Sequence, residues 1–201
     1  MRTAVKYTTM TEKLSQYIRD RFSTDDNSLQ QIVSGFKEKT TIKNEILLSK
    51  GEKSVHCYFV VEGVLRMFYS GKKEDEQTRY FATENTFGGG FASFINQFPS
   101  VEFVQSVGVA KLLLIDRTTF YLLVNTNPTF AKLYCNILEV SYSYSVERIG
   151  TFMAMEADER IEWVLKNQPL LLQKVPNKMI ASYLGIKPQT FSRLLAKSSH
   201  K

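Results

Sequence analysis

Apolar positions recur along this chain with two different periods, and the changes between them divide it. Residues 11–22 carry a helical stripe, a polar turn covers 23–28, and Leu29, Ile32 and Phe36 then line a second short helix. Ser28 and Gln31 have capping-box spacing at its start. From residue 39 to 116 the texture changes to short β-branched and aromatic runs, at 40–42, 46–48, 55–61, 64–69, 78–82, 103–107 and 111–115. Turn signals separate them, Glu62-Gly63 and Ser70-Gly71 most clearly, which predicts a sandwich or barrel.

Helical spacing then returns. Asp116 is placed to cap a helix through Val124, and Asn127-Pro128 opens a longer one, Asn as cap and Pro in the first turn. Along that helix Phe130, Leu133, Ile137, Val140 and Tyr144 alternate by three and four, the spacing of a coiled-coil seam and therefore of a dimer interface. The same stripe packed on the barrel within one chain is the competing reading, and spacing alone does not choose. A helix over residues 157–166 follows and stops at Gln168-Pro169.

The last stretch, KVPNKMIASYLGIKPQTFSRLLAK, holds two short helical stripes, Ile180, Leu184 and Ile186, then Phe191, Leu194 and Leu195. Gly185 lies between them and permits the left-handed backbone of a tight turn; Ala181 leaves room for a close crossing, Asn177 is placed to cap the first helix, and Pro188 suits the first turn of the second. This predicts a helix-turn-helix. Its second helix turns Gln189, Ser192, Arg193 and Lys197 away from the apolar stripe, with Thr190 and Lys187 nearby. Arg pairs with guanine O6 and N7, Gln with adenine N6 and N7, and Lys, Ser and Thr reach phosphates. A plain helical hairpin with a solvated face would show the same residues.

Charge favours nucleic acid. Residues 174–201 carry Lys174, Lys178, Lys187, Arg193, Lys197 and Lys201 and no acid; subtracting these 6 from 26 Lys and Arg leaves 20 against 20 Asp and Glu elsewhere. The whole net charge of +6 belongs to this segment, as a phosphate-neutralising module requires. The 201-residue chain, 43% hydrophobic and 23% charged, has a globular composition with no run of about 18 apolar residues to span a membrane and no signal-peptide pattern. A cytoplasmic location is the expectation. Cys57 and Cys135 lack disulfide-framework or zinc spacing and are expected to be buried thiols. His56 and Cys57 are neighbours in a strand and point to opposite faces, and His200 is in the tail, so no catalytic residue, metal or cofactor is expected.

The order of parts resembles the cAMP receptor protein and fumarate-nitrate reduction regulator (Crp-Fnr) superfamily. Lys50-Gly51-Glu52, the strand pair from Tyr58 through Gly63 to Arg66, the Phe87-Gly88 turn, the long helix and the closing Ile180 to Ile186 with Ser192-Arg193 carry the resemblance, which covers nearly the whole chain. It implies an α+β chain: an N-terminal β-roll of cyclic-nucleotide-binding, double-stranded β-helix (jelly-roll) type in residues 1–126, a dimerisation helix in 127–155 and a DNA-binding helix-turn-helix in 156–201. The implied function is transcription regulation by a homodimer on a palindromic site. Expected partners are double-stranded DNA, a second copy, RNA polymerase and an unidentified small-molecule effector, and no membrane. A ligand-binding or protein-interaction module that no longer engages DNA is the alternative.

The resemblance also marks a departure. Cyclic-nucleotide-binding relatives place a glutamate after Phe-Gly for the ribose and an arginine about a dozen residues on for the phosphate; here Gly89 takes the first place and Pro99-Ser100-Val101-Glu102 offers no arginine. The candidate effector pocket is Gly88, Gly89, Gly90, Phe91 and Ser93, with Arg66 and Arg79 reaching in from other strands. Phe87, Phe91, Phe94, Phe98 and Phe103 crowd the segment, so the pocket is expected to take an apolar ligand or none, and not cAMP.

Overall fold

The computed structural model describes residues 9–71 and 75–198, with the side chains of Lys197 and Ser198 outside that set. Helix α1 (Met10–Arg19) opens on a Thr9–Glu12 capping box and α2 (Asp26–Ser34) on Asp25, whose carboxylate accepts from the Ser28 amide at 2.8 Å. The expected Ser28 cap is thus displaced by three residues: an acid lay one turn earlier, and Ser28 instead donates its hydroxyl to Asn127 Oδ1 at 3.0 Å.

Among the described residues eight strands follow: β1 (Lys37–Thr40), β2 (Ile46–Leu48), β3 (His56–Glu62), β4 (Leu65–Ser70), β5 (Glu76–Ala82), β6 (Phe87–Gly88), β7 (Phe103–Ser106) and β8 (Lys111–Asp116). They pair antiparallel in two four-stranded sheets, ordered β1-β8-β3-β6 and β2-β7-β4-β5, which face each other as a roll. Val60, Leu65, Met67, Ala82, Val104 and Leu112, all fully buried, fill the space between them. The run expected at 40–42 pairs instead at Lys37–Thr40, and Phe87-Gly88, read as a turn, forms a short strand against Tyr58 and Phe59. A six-residue helix, α3 (Phe91–Asn96), which the sequence did not announce, comes next.

Helix α4 (Arg117–Thr126) starts on Asp116, and α5 (Pro128–Ala154) on Asn127, as expected from the sequence. The Asp116 carboxylate and the Asn127 carboxamide oxygen each accept a backbone N–H that a helix start leaves without a partner. The first turns of α5 pack on α1, α2, α4 and the β3–β8 face, so Phe130, Leu133 and Ile137 are core residues of this chain, Leu133 at 0% exposure. Three members of the expected seam therefore offer no surface to a second subunit. Tyr144 also turns inward, with its hydroxyl paired to that of Tyr183 and its ring edge-on to Tyr80, and only Val140 is exposed.

The C-terminal unit comprises α6 (Ala157–Asn167), α7 (Pro169–Lys174), α8 (Asn177–Leu184) and α9 (Pro188–Ser198). Gln168-Pro169 ends one helix as expected but opens another, because proline fits a first helical turn as readily as it stops a preceding one. The unit shares one core with the roll: Val64, Phe81 and Val107 pack with Ile161, Val164, Leu171, Ile180 and Phe191. The expectation of two buried thiols holds for Cys57 and fails for Cys135, which lies exposed on α5. Burial pushes the Cys57 thiol well above its usual range. Maleimide labelling of the native protein is therefore expected to modify Cys135 first and Cys57 only on unfolding; early labelling of Cys57, read by peptide mass, would contradict its burial.

Candidate functional site

The turn between α8 and α9 has the backbone that the glycine predicts. Gly185 sits at φ +68°, the Ile186 amide donates to the Ala181 carbonyl at 3.0 Å and the Gly185 amide to Ser182 at 3.2 Å, a Schellman closure of the helix end. A side chain at 185 would meet strain twice, in the left-handed backbone and in Phe152 Cε1, 2.7 Å from where a Cβ would stand. Asn177 is the first residue of α8 and not its cap; Pro176 holds the cap position. Pro188 opens α9 as expected.

Phe191 is fully buried, and the half-buried Leu194 and Leu195 pack with it on the same core. That orients the rest of α9 outward. Gln189, Ser192 and Arg193 are exposed, Thr190 is half-buried, and Lys187 is exposed just before the helix. Ser192 donates its hydroxyl back to the Pro188 carbonyl at 3.1 Å, which leaves its lone pairs facing solvent. Lys197 belongs to α9 by its backbone, and its side chain lies outside the described residues. Gln189, Ser192 and Arg193 of the predicted polar face thus lie exposed on α9, opposite its buried Phe191.

The residues of the predicted effector pocket are largely engaged in packing and pairing. Gly88 packs so tightly that a Cβ would lie 2.7 Å from Ala82 Cβ, and one at Gly90 would lie 2.5 Å from Leu48 Cδ2. Gly88 and Gly90 thus permit close packing, whereas a Cβ at Gly89 would come no nearer than 3.4 Å, to the His56 carbonyl, beside a cleft of about 360 Å³ lined by Ser54, His56 and Tyr58. Ser93 accepts from the Ser54 amide at 2.9 Å and donates to the Phe98 carbonyl at 2.6 Å. Phe87 and Phe94 are buried in the core under the helices, Phe91 packs against it, Phe103 stacks on Phe68 with centroids 5.0 Å apart, and Phe98 faces solvent, so the five rings line no common cavity. Arg79 holds Glu102 in a bidentate pair, Nε–Oε2 2.7 Å and Nη2–Oε1 3.0 Å. Arg66, at 1% exposure, donates to Thr78 Oγ1 at 2.8 Å and to Glu76 Oε2 at 2.5 Å and lies over the Phe68 ring. Both arginines are paired with carboxylates, Arg66 with Glu76 and Arg79 with Glu102, and Arg66 also lines a cleft of about 530 Å³ between β5 and α8.

A polar junction between the roll and the helix-turn-helix was not anticipated. Ser182 on α8 receives the Thr78 amide at 2.9 Å and donates to the Glu76 carbonyl at 2.5 Å, so Arg66, Thr78, Glu76 and Ser182 form one connected network. Arg148 on α5 bonds the Tyr183 carbonyl and lies over the Phe152 and Tyr183 rings. Arg160 on α6 donates to three carbonyls, Met155 at 3.0 Å, Leu184 at 3.1 Å and Phe152 at 3.2 Å, tying the end of α5 to the end of α8. These carbonyls are helix-end acceptors without intrahelical donors. In the sequence, Arg148 and Arg160 sit on polar helical positions and look like solvated charges; nothing local distinguishes them.

Residues 39–127 match the cyclic nucleotide-binding domain family. Among solved structures, FixK2 from Bradyrhizobium japonicum is 17% identical, with a TM-score of 0.70 over 81% of this chain and 83% of that one. A transcriptional regulator of the Crp/Fnr family from Eubacterium rectale is 16% identical, with a TM-score of 0.67 over 87% of this chain and 83% of that one. The catabolite activator protein of Thermus thermophilus is 17% identical, with a TM-score of 0.56 over 92% of this chain and 87% of that one. No curated protein matches the sequence.

Proposed function

We propose that this chain, which has the fold of the Crp-Fnr transcription regulators and a cyclic nucleotide-binding family domain at residues 39–127, is a DNA-binding homodimer, not an enzyme, with an effector other than a cyclic nucleotide. The observation that carries the DNA reading is the outward face of α9: Gln189, Ser192 and Arg193 exposed around a fully buried Phe191, on the segment that holds all the net positive charge. A helix presented in this way enters the major groove with base-reading and phosphate-neutralising groups on one side.

Two half-sites need two such helices, and α5 supplies a surface for joining them. Leu138, Tyr142, Val146, Ile149 and Met153 are exposed and follow steps of four, four, three and four, one continuous stripe on the side of α5 away from its own core. Ile149 is 59% and Met153 83% exposed, unusual for a helix that ends its work in water. The subunit seam is thus this stripe, displaced around the helix from the one read by spacing. Support for a different effector comes from the tightly packed Gly88 and Gly90 and the paired Arg66 and Arg79.

Selection from a random duplex library tests the function, and is expected to return a two-fold-symmetric site. On that site Arg193→Ala is expected to cost about 1–3 kcal/mol and relax preference at one base pair per half-site, while Lys187→Ala weakens all duplexes alike and lowers the salt slope by about one. Absence of any enriched sequence, or equal loss on specific and random duplexes for Arg193→Ala, counts against the assignment.

A further inference from the structure

The roll and the C-terminal unit also meet at a second place. Tyr80 and Phe81 on β5, Tyr144 on α5, and Gln168, Pro169 and Leu171 at the α6–α7 break enclose a cleft of about 300 Å³. That volume is at the lower end of small-molecule sites, which range over about 300–1,000 Å³. The walls come from all three parts of the molecule.

Its chemistry is narrow. Two tyrosine rings, set edge to face with centroids 4.6 Å apart, form one wall, and the Tyr144 hydroxyl is already paired with Tyr183, so that residue presents its ring to the cleft. Pro169 and Leu171 form the other wall, with the half-exposed Leu170 at the rim. No Asp, Glu, Lys, Arg or His is among the described residues that line it. A charged ligand would leave water here without a counter-ion, at high cost. The polar groups that remain are neutral: the hydroxyls of Thr83 and Tyr80, the latter bonded to Thr86, and the carboxamides of Asn167 and Gln168. Asn167 donates to the Trp163 carbonyl at 2.8 Å, whereas no described residue pairs with the Gln168 side chain. Apolar rings on two sides and a free amide at one edge fit a flat, uncharged aromatic molecule that carries its own amide-like donor and acceptor.

We propose that this cleft is the effector site, and that it takes a neutral planar aromatic molecule with an amide-type edge. A cleft of about 360 Å³ on the roll is lined by Glu52, Lys53 and His56 as well as Leu48, Val55 and Tyr58, so it offers charged groups where this one offers none. A ligand in the cleft touches β5 of the sensor unit and α6–α7 of the DNA-reading unit at once. Such a ligand binds the arrangement that closes the cleft better than one that opens it, and differential affinity of this kind shifts the population. The regulatory half of this inference rests on the DNA-binding reading; the site itself does not.

The test is calorimetric titration of the full chain with 2-quinolinone, a fused neutral bicycle with adjacent N–H and C=O. Saturable binding of one molecule per chain is expected, weakened about ten-fold or more by Leu170→Asp, which alters an exposed rim residue, and several-fold by Gln168→Ala. Quinoline-2-carboxylate, of the same shape and charged, is expected to bind about ten-fold or more weaker. No saturable binding of the neutral probe, or equal affinity in Leu170→Asp, overturns the site. A second arm measures affinity for the selected duplex with and without saturating probe, and a change of about five-fold is expected. A chain that takes the probe with those variant effects but whose duplex affinity does not move removes the regulatory half; one that binds no duplex at all refutes the DNA reading instead.

Discussion

Ile137→Glu is expected to unfold the chain, and Ile149→Glu to leave it folded but monomeric. Ile137 is 5% exposed between α5 and the core under α1 and α4, so a carboxylate there loses its hydration without gaining a partner. The cost is on the order of 3–5 kcal/mol, a large part of the roughly 5–15 kcal/mol that holds a domain together. Ile149 lies on the same helix but outside the core, so its glutamate stays in water in the free chain and is desolvated only when a second subunit covers the exposed stripe. Thermal denaturation followed by sedimentation separates the two. A folded, dimeric Ile149→Glu protein would move the subunit contact elsewhere, and a stable Ile137→Glu protein would contradict the packing of α5. Loss of tight duplex binding in the monomeric variant is the linked expectation, since one recognition helix cannot span two half-sites.

Arg66→Ala is expected to destabilise the protein by about 3 kcal/mol and to loosen α8 before the rest unfolds. Arg66 is among the largest fully buried side chains, and removing it leaves a void over Phe68 and takes the charged donor from Thr78 and Glu76. Those two residues are the ones that hold Ser182, so the loss passes directly to the docking of the helix-turn-helix. Ser182→Ala removes only the far end of the network, and about 1 kcal/mol is expected. Hydrogen exchange over residues 177–184 is the discriminating measurement: both variants should raise it, Arg66→Ala more. Unchanged exchange in Arg66→Ala would mean that the shared apolar core of Val64, Phe81, Ile180 and Phe191 alone seats the unit.

Between these variants lies the difference between what local pattern carries and what it does not. Helix starts at Asp116 and Asn127, the turn at Gly185 and the outward face of α9 were legible because each depends on residues within one turn of one another. A cap needs a side chain three residues from its amide, and a left-handed turn needs a residue without a Cβ. The strands were legible for a similar reason, as apolar runs between turn residues, with errors of a few residues where pairing across the sheet chose the register. Phe87-Gly88 was read as a turn because two residues give no alternation; only β3 beside them makes them a strand.

What the sequence determined by itself is the inventory: short strands for a sandwich or barrel, one long helix, and a basic helix-turn-helix at the end; the roll and the place of Gly89 in it came from the family resemblance. What only the tertiary structure decided is how each apolar and charged face is used. Phe130, Leu133 and Ile137 have coiled-coil spacing, yet they pack on the chain's own core, and the stripe from Leu138 to Met153 is the exposed one. Arg66 and Arg79 were placed in a pocket by their chemistry, and the sheet register gave them Glu76 and Glu102 instead. Periodicity states that a face is apolar and composition that a side chain is charged; which surface meets it depends on contacts up to 106 residues away, such as Ser182 to Glu76, and these exist only once the chain has closed.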